Sequence, residues 1–165
     1  MFKNENEGGF PLEYTFAFWV MRIWLSVRAI MTGVEKFAAT VNVPTVVDGY
    51  ELNVEKKVYG LKHYHGMPEA LSEKFASEPL LPGFLLAPYE FLLGPILIIV
   101  GLTLLLGVAS RISLLVMGLL YTSLTFGLIL IKQDGGIAWL AIHIIMVVMA
   151  LLMVKYDRYA ILKRF

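Results

Sequence analysis

Cysteine is absent from the 165 residues of this chain, and its absence excludes several mechanisms. The chain forms no disulfide, binds no metal or cluster through thiolates, attaches no haem covalently and relays no electrons through a Cys-x-x-Cys pair. Membrane thiol oxidases, which also have four-helix cores, pass electrons from disulfides to quinones and need cysteines. That class of protein is therefore excluded.

Charge is also scarce, because charged residues make up 16% of the chain and the formal net charge is only +1. No basic patch of the size that nucleic-acid binding needs is present, so that class is set aside. Residues 1–13 contain Lys3 as their only cation and lack both the basic flank and the small-residue cleavage site of a signal peptide. We therefore expect the first apolar run to remain in the mature protein.

Hydrophobic residues are abundant, at 58% of the chain with a mean hydropathy of +0.72, against about 45–50% apolar residues in soluble domains. Four apolar runs each come close to the roughly 20 residues that cross a bilayer core. The expected spans are about residues 14–36, 84–108, 112–131 and 137–155. This pattern predicts a single all-α membrane domain, a four-transmembrane-helix bundle in a lipid bilayer.

Orientation follows from lysine and arginine near the ends of the spans. Four spans place both termini on one side, together with the turn at residues 109–111. The opposite short turn has only Lys132, near Asp134. We therefore predict a multi-pass protein of the cell (inner) membrane with both termini cytoplasmic and residues 37–83 outside. The cations of the terminal side are Lys3, Arg111, Lys155, Arg158, Lys163 and Arg164.

The long loop, residues 37–83, is too aromatic for a disordered linker. Asp48 and Gly49 are typical of a turn, and residues 67–75 predict a short helix with proline in its first turn. We expect an extracytoplasmic cap between helices 1 and 2. His63 and His65 would lie on one side of a strand, either as surface histidines or as ligands. Two histidines without a third ligand predict no metal site.

Two arginines, Arg22 and Arg28, lie inside the first span. An arginine near the centre of a membrane helix costs roughly 2.5–3.5 kcal/mol on insertion scales, so it usually faces a partner or a ligand. Arg22 is deepest from the outer side and is expected to serve the fold. It either pairs within the bundle or reaches the cytoplasmic surface.

The outer half of the bundle is the expected site. Arg28 should lie roughly 10 Å below the outer interface, at a depth similar to His143. Glu90, Tyr121 and Glu35 fall in the same region. We predict Arg28, His143 and Glu90 as catalytic residues, and Arg28, His143, Tyr121 and Glu35 as cofactor-binding residues. The alternatives are an ion pair of Arg28 with Glu35 or Glu90, and a hydrogen-bonded core role for His143.

The second span contains Pro88 and the pair Gly94 and Pro95. Prolines inside a helix free backbone carbonyls that then need other partners. Gly101 and Gly107 are typical of positions where helices approach closely. We therefore expect the glycines of the second span to let a neighbouring helix pack closely against it.

The sequence resembles the DoxX/DoxD group of four-span membrane proteins. One matching segment runs from Arg22 through Gly33 to Glu35 and Lys36. The second is the glycine- and leucine-rich stretch at residues 101–111, which ends in a small residue and an arginine. The third is the aromatic and charged stretch at residues 156–162. The long first loop is closer to the DoxD branch, which includes the small membrane subunit of thiosulfate:quinone oxidoreductase.

The resemblance implies a subunit of a quinone-linked oxidoreductase with quinone as cofactor. Arg28 and His143 would then hydrogen-bond a quinone carbonyl, and Glu90 or Glu35 would relay protons outward. The expected partners are other subunits of a membrane complex or further copies of the chain. The alternative function is that of a non-catalytic structural or accessory subunit of a larger, respiratory-type membrane complex.

Overall fold

Four long helices dominate the structure, a computed structural model that describes residues 12–47, 50–157 and 161. They are α1 (Leu12–Glu35), α3 (Gly83–Leu106), α4 (Ser110–Leu130) and α5 (Asp134–Met153). Each is long and apolar enough to cross a membrane. The predicted fold class is confirmed: the chain is a multi-pass α-helical membrane protein. Each of these four helices begins and ends within three residues of the predicted span.

A two-stranded antiparallel sheet follows α1. Strands β1 (Ala38–Val47) and β2 (Tyr50–Tyr59) pair with Ala38 opposite Tyr59. The predicted turn at Asp48 and Gly49 lies outside the described residues. The alternation of Val54, Val58 and other apolar residues with charged ones fits this sheet.

The predicted short helix is present as α2 (Glu69–Ala76), and Pro68 precedes its first residue. Proline suits this position because its fixed φ is compatible with a helix start and it has no N–H to leave unpaired. Phe75 of α2 and the nearby Met67 are buried. The residues between α1 and α3 therefore contain folded elements.

Residue contacts divide the chain into two compact units, and the division passes through α1 and α3. The α4–α5 unit has its described residues within Met1–Arg28 and Val100–Phe165. The hairpin unit is Ala29–Ile99 and contains β1, β2 and α2.

The α4–α5 unit has a small apolar core and a largely apolar surface. Phe18 and Leu25 of α1, Met117 of α4 and Val147 of α5 are almost completely buried. Other large apolar side chains are exposed, as expected for helices whose solvent is lipid rather than water. The exposed apolar side chains include Phe16, Trp24, Leu119, Phe126, Trp139, Ile145 and Leu152.

In the hairpin unit, the Tyr64 side chain forms hydrogen bonds to backbone groups of α3 near Pro95. Pro95 has no N–H to give the carbonyl of Phe91, four residues earlier. The Tyr64 hydroxyl lies 2.8 Å from this carbonyl oxygen and 2.7 Å from that of Glu90, and it accepts a hydrogen bond from the N–H of Gly94 at 3.2 Å. A Cβ at Gly94 would lie 2.8 Å from the Tyr64 ring. Glycine is thus the residue that leaves room for this tyrosine.

Candidate functional site

Arg22 is held by the end of α3 and by the C-terminal segment. Its Nε donates to the Leu104 carbonyl at 2.7 Å and its Nη2 to the Leu105 carbonyl at 2.8 Å. The last carbonyls of a helix lack partners within the helix, and a cation is favourable at that end of the helix dipole. Nη1 completes the set with an ion pair to Asp157 Oδ1 at 3.0 Å. Arg22 therefore pairs inside the protein, one of the two predicted outcomes.

The other groups around Arg22 complete a buried polar cluster. The second oxygen of Asp157 accepts a hydrogen bond from Ser110 Oγ at 2.7 Å. Gly107 has φ +73°, and a Cβ there would lie 2.3 Å from Arg22 Nη2. The Gly107 carbonyl also accepts the N–H of Ile161 at 3.0 Å. The cluster thus consists of Arg22, Gly107, Ser110 and Asp157.

Sequence reasoning did not find the partners of Arg22. A signal was present, because Arg22, Gly107 with Ser110, and Asp157 come from the three segments that carry the family resemblance. Those segments are far apart along the chain, and the structure brings a residue of each into one ion-pair and hydrogen-bond network. This arrangement accounts for Arg22 as a residue of the fold.

Arg28 differs from Arg22. It is exposed on α1, and the described part of the chain shows no hydrogen bond or ion pair to its guanidinium. Its charge acts electrostatically on Tyr121 of α4. The Tyr121 ring in turn packs against the His143 ring of α5, at 5.7 Å between centroids and an interplanar angle of 74°. Three of the predicted site residues thus lie in the α4–α5 unit, and two of them, Tyr121 and His143, are in ring contact.

His143 is buried, with 8% of its surface exposed. Its Nδ1 lies 2.7 Å from the Trp139 carbonyl oxygen. A carbonyl oxygen only accepts, so Nδ1 carries the proton and donates it. The other ring nitrogen, Nε2, is buried and has no hydrogen-bond partner among the residues that the structure describes. Such atoms are rare in folded proteins and call for an explanation.

The predicted residue Glu90 lies in the hairpin unit, on α3. Its Oε1 accepts a hydrogen bond from Ser72 Oγ of α2 at 3.0 Å. Lys36, just beyond α1, donates from Nζ to the Gly66 carbonyl. Burial lowers the pKa of Lys36, and the negative charge of Glu90 partly opposes this shift. Glu90, in the first third of α3, thus has Ser72 and Lys36 as polar neighbours.

Glu35, the other predicted carboxylate, forms an exposed ion pair with Lys57 of β2 in the same unit. Lys57 Nζ lies 2.7 and 2.5 Å from the two carboxylate oxygens. The hydrogen bond to Glu35 raises the pKa of Lys57. The pair borders an open cleft of about 510 Å³ that His65 and Glu69 also line.

The predicted site residues therefore belong to different units. Arg28, Tyr121 and His143 lie in the α4–α5 unit, whereas Glu35 and Glu90 lie in the hairpin unit. That all five meet at one ligand stays a prediction.

The histidine pair of the loop is not on a strand. His63 ends a single 3-10 turn and His65 follows it, with Nδ1 of His65 3.0 Å from the carbonyl oxygen of His63. No group of three histidine, aspartate or glutamate side chains suited to a metal is found among the described residues.

We compared the chain with protein-family models, with curated proteins and with solved structures, and none of them matches it. The DoxX/DoxD resemblance therefore stays a prediction from the motifs.

Proposed function

We propose that this chain is a DoxX/DoxD-like integral membrane subunit of a quinone-linked oxidoreductase, of the thiosulfate:quinone type. It binds the headgroup of a lipid-soluble quinone at Arg28, Tyr121 and His143. The observation that carries the proposal is the buried Nε2 of His143 in a membrane-spanning helix, for which the described part of the chain offers no hydrogen-bond partner.

His143 Nε2 and the Arg28 guanidinium both lack a hydrogen-bond partner among the described residues. An unpaired buried nitrogen costs about 1–3 kcal/mol, and Arg28 holds a full charge in an apolar span without a partner among the described residues. A quinone-type ligand would accept a hydrogen bond from Arg28 in either redox form and, in its hydroxyl-bearing form, would donate one to Nε2, while its tail dissolves in lipid. Because Nε2 is covered in this structure, the neighbouring side chains must move aside when the ligand enters.

The proposal extends to orientation and proton flow. Both termini would face the cytoplasm and residues 37–83 would lie outside the inner membrane, following the lysine and arginine asymmetry. Glu90 or Glu35 would then pass protons outward, and a partner subunit carrying the electron donor would dock on the outer side.

A labelling experiment tests the orientation. The chain has no native cysteine, so a cysteine introduced at Ser72 is the only thiol. We expect Ser72→Cys to react with a membrane-impermeant maleimide in intact cells. Reaction only after permeabilisation would reverse the proposed orientation.

Ligand extraction tests the function. We expect purified wild-type protein to carry quinone that organic extraction and mass spectrometry detect. Arg28→Lys keeps the charge but loses the directed guanidinium donors, so it should retain much less quinone in either redox form. His143→Phe removes an acceptor, so it should retain much less of the hydroxyl-bearing reduced form. Both variants should keep the thermal stability of the wild type. Matched controls are Arg111→Lys and His63→Phe, which alter exposed residues of the same types.

Two results would contradict the quinone proposal. One is wild-type protein without quinone that co-purifies with other membrane subunits, which would support the accessory-subunit alternative. The other is Arg28→Lys protein that keeps its quinone but unfolds more readily, which would make Arg28 a structural residue like Arg22.

A further inference from the structure

We infer that the His143 site takes the reduced, hydroxyl-bearing form of its ligand, a hydroquinone, in preference to the oxidised quinone. This inference rests on the proposed function and specifies which redox form the site holds more tightly; in a thiosulfate:quinone oxidoreductase that form is the product. It follows from the position of one proton on His143.

The proton of the imidazole is assigned by its neighbour. Nδ1 donates to the Trp139 carbonyl at 2.7 Å, so in the neutral ring Nε2 carries only a lone pair. A second proton would create a cation inside an apolar span, close to the tyrosine on which the Arg28 charge already acts. Nε2 is therefore a hydrogen-bond acceptor, and a ligand that bonds to it must be a donor.

The two redox forms of a quinone differ in what they offer to this acceptor. A hydroquinone O–H can donate to Nε2, whereas a quinone carbonyl oxygen would place a lone pair against a lone pair. The guanidinium of Arg28 and the hydroxyl of Tyr121 are donors, and the oxygens of both redox forms can accept from them. The Tyr121 hydroxyl can also accept, so among the three groups only His143 Nε2 accepts without being able to donate, and it is the group that discriminates. His143 thus accepts from the ligand, whereas the resemblance implies a hydrogen bond from His143 to a quinone carbonyl.

Binding of matched probes to wild-type protein in lipid nanodiscs tests this without any variant. The probes are decylhydroquinone, decylbenzoquinone and the dimethyl ether of decylhydroquinone, which has the same ring but no O–H. We expect the hydroquinone to bind on the order of tenfold more tightly than the other two, which is about 1.4 kcal/mol. Preferential binding of the reduced form would raise the two-electron potential of the bound couple by about 30 mV.

The variant His143→Phe tests whether His143 causes the preference for hydroquinone over quinone. In His143→Phe the hydroquinone and the quinone should bind equally, and in His63→Phe the preference should persist. A thermal unfolding scan of each variant checks that the helices remain assembled.

The outcomes separate the two levels of the proposal. If both redox forms bind equally to wild type and Arg28→Lys weakens both, the quinone site stands and the preference for hydroquinone is wrong. If no probe binds saturably, the proposed function fails and the inference with it. If the preference is present and survives in His143→Phe, another group provides it and the assignment to His143 is overturned.

Discussion

Two arginines on α1, six residues apart, differ in burial and in hydrogen bonding. Arg22 gives three nitrogens to two carbonyls and a carboxylate and is almost fully buried. Arg28 is exposed on α1 and has no hydrogen-bonding partner among the described residues. The sequence shows the same residue type in the same apolar run. A charge in a membrane span therefore points to a ligand only after the protein's own partners have been counted.

The largest effect is expected from breaking the ion pair of Arg22. Removing one member of a buried pair leaves an uncompensated charge and typically costs about 3–5 kcal/mol. Arg22→Ala and Asp157→Ala should each lower the midpoint of thermal unfolding measured in detergent. The double variant should cost less than the sum of the two, because neither charge is then stranded.

Arg28→Ala is the matched control for that loss. It should leave thermal stability close to wild type. If Arg22→Ala unfolds at the wild-type midpoint, or if Arg28→Ala costs as much as Arg22→Ala, the contrast between the two arginines is wrong.

The next effect comes from Gly107. Its φ of +73° costs about 1–2 kcal/mol for a residue with a Cβ, and the added Cβ would lie 2.3 Å from Arg22 Nη2. Gly107→Ala should therefore destabilise by at least that amount, measured by unfolding in mixed micelles. Gly135→Ala is the control, since a Cβ there meets nothing within 4 Å. Equal stability of the two variants would mean that Arg22 can shift at little cost.

A smaller effect is expected in the hairpin unit. Tyr64→Phe removes the hydroxyl that serves the Phe91 carbonyl and the Gly94 N–H, at about 1–2 kcal/mol for groups left without a partner. Gly94→Ala should act on the same contact by displacing the tyrosine ring. Gly83→Ala has open space around its Cβ and serves as control. If Tyr64→Phe matches wild type in mixed-micelle unfolding, water replaces the hydroxyl.

The smallest effect belongs to the exposed pair of Glu35 and Lys57. The pKa of Lys57 is raised above 10.5, first by its hydrogen bond to Glu35, so the folded state binds this proton more tightly. Its contribution is fully present below the ordinary pKa and is lost as pH rises through the raised value.

The stability difference between wild type and Lys57→Met should therefore shrink over that pH range, and added salt should shrink it at neutral pH. Lys62→Met is the control. A difference that grows with pH would reverse the assigned sign.

Much of the fold could be predicted because its signal is local. Runs of about 20 apolar residues have few stable solutions in lipid other than a helix, and the four helices lie where those runs lie. The short helix after Pro68 was predictable from turn chemistry. The partner of the Phe91 carbonyl was not, because Tyr64 reaches α3 from a loop 27 residues earlier.

The candidate site was likewise only partly predictable from the sequence. Arg28, Tyr121 and His143 could be chosen from depth alone, since rise per residue places them in one layer. Depth cannot say which nitrogen of His143 carries the proton, because the Trp139 carbonyl decides that through a bond of 2.7 Å. Nor could depth show that Glu35 pairs with Lys57 across the start of the hairpin.

By itself the sequence determined the number of spans and the polar residues placed within them, because hydrophobicity and helix rise act along the chain. Only the tertiary structure decided which of those residues are satisfied. Arg22 pairs with Asp157, 135 positions later, while His143 Nε2 has no partner within the described ranges. Hydrogen bonds depend on angstrom-scale distances between segments far apart in sequence, and no local pattern encodes those distances.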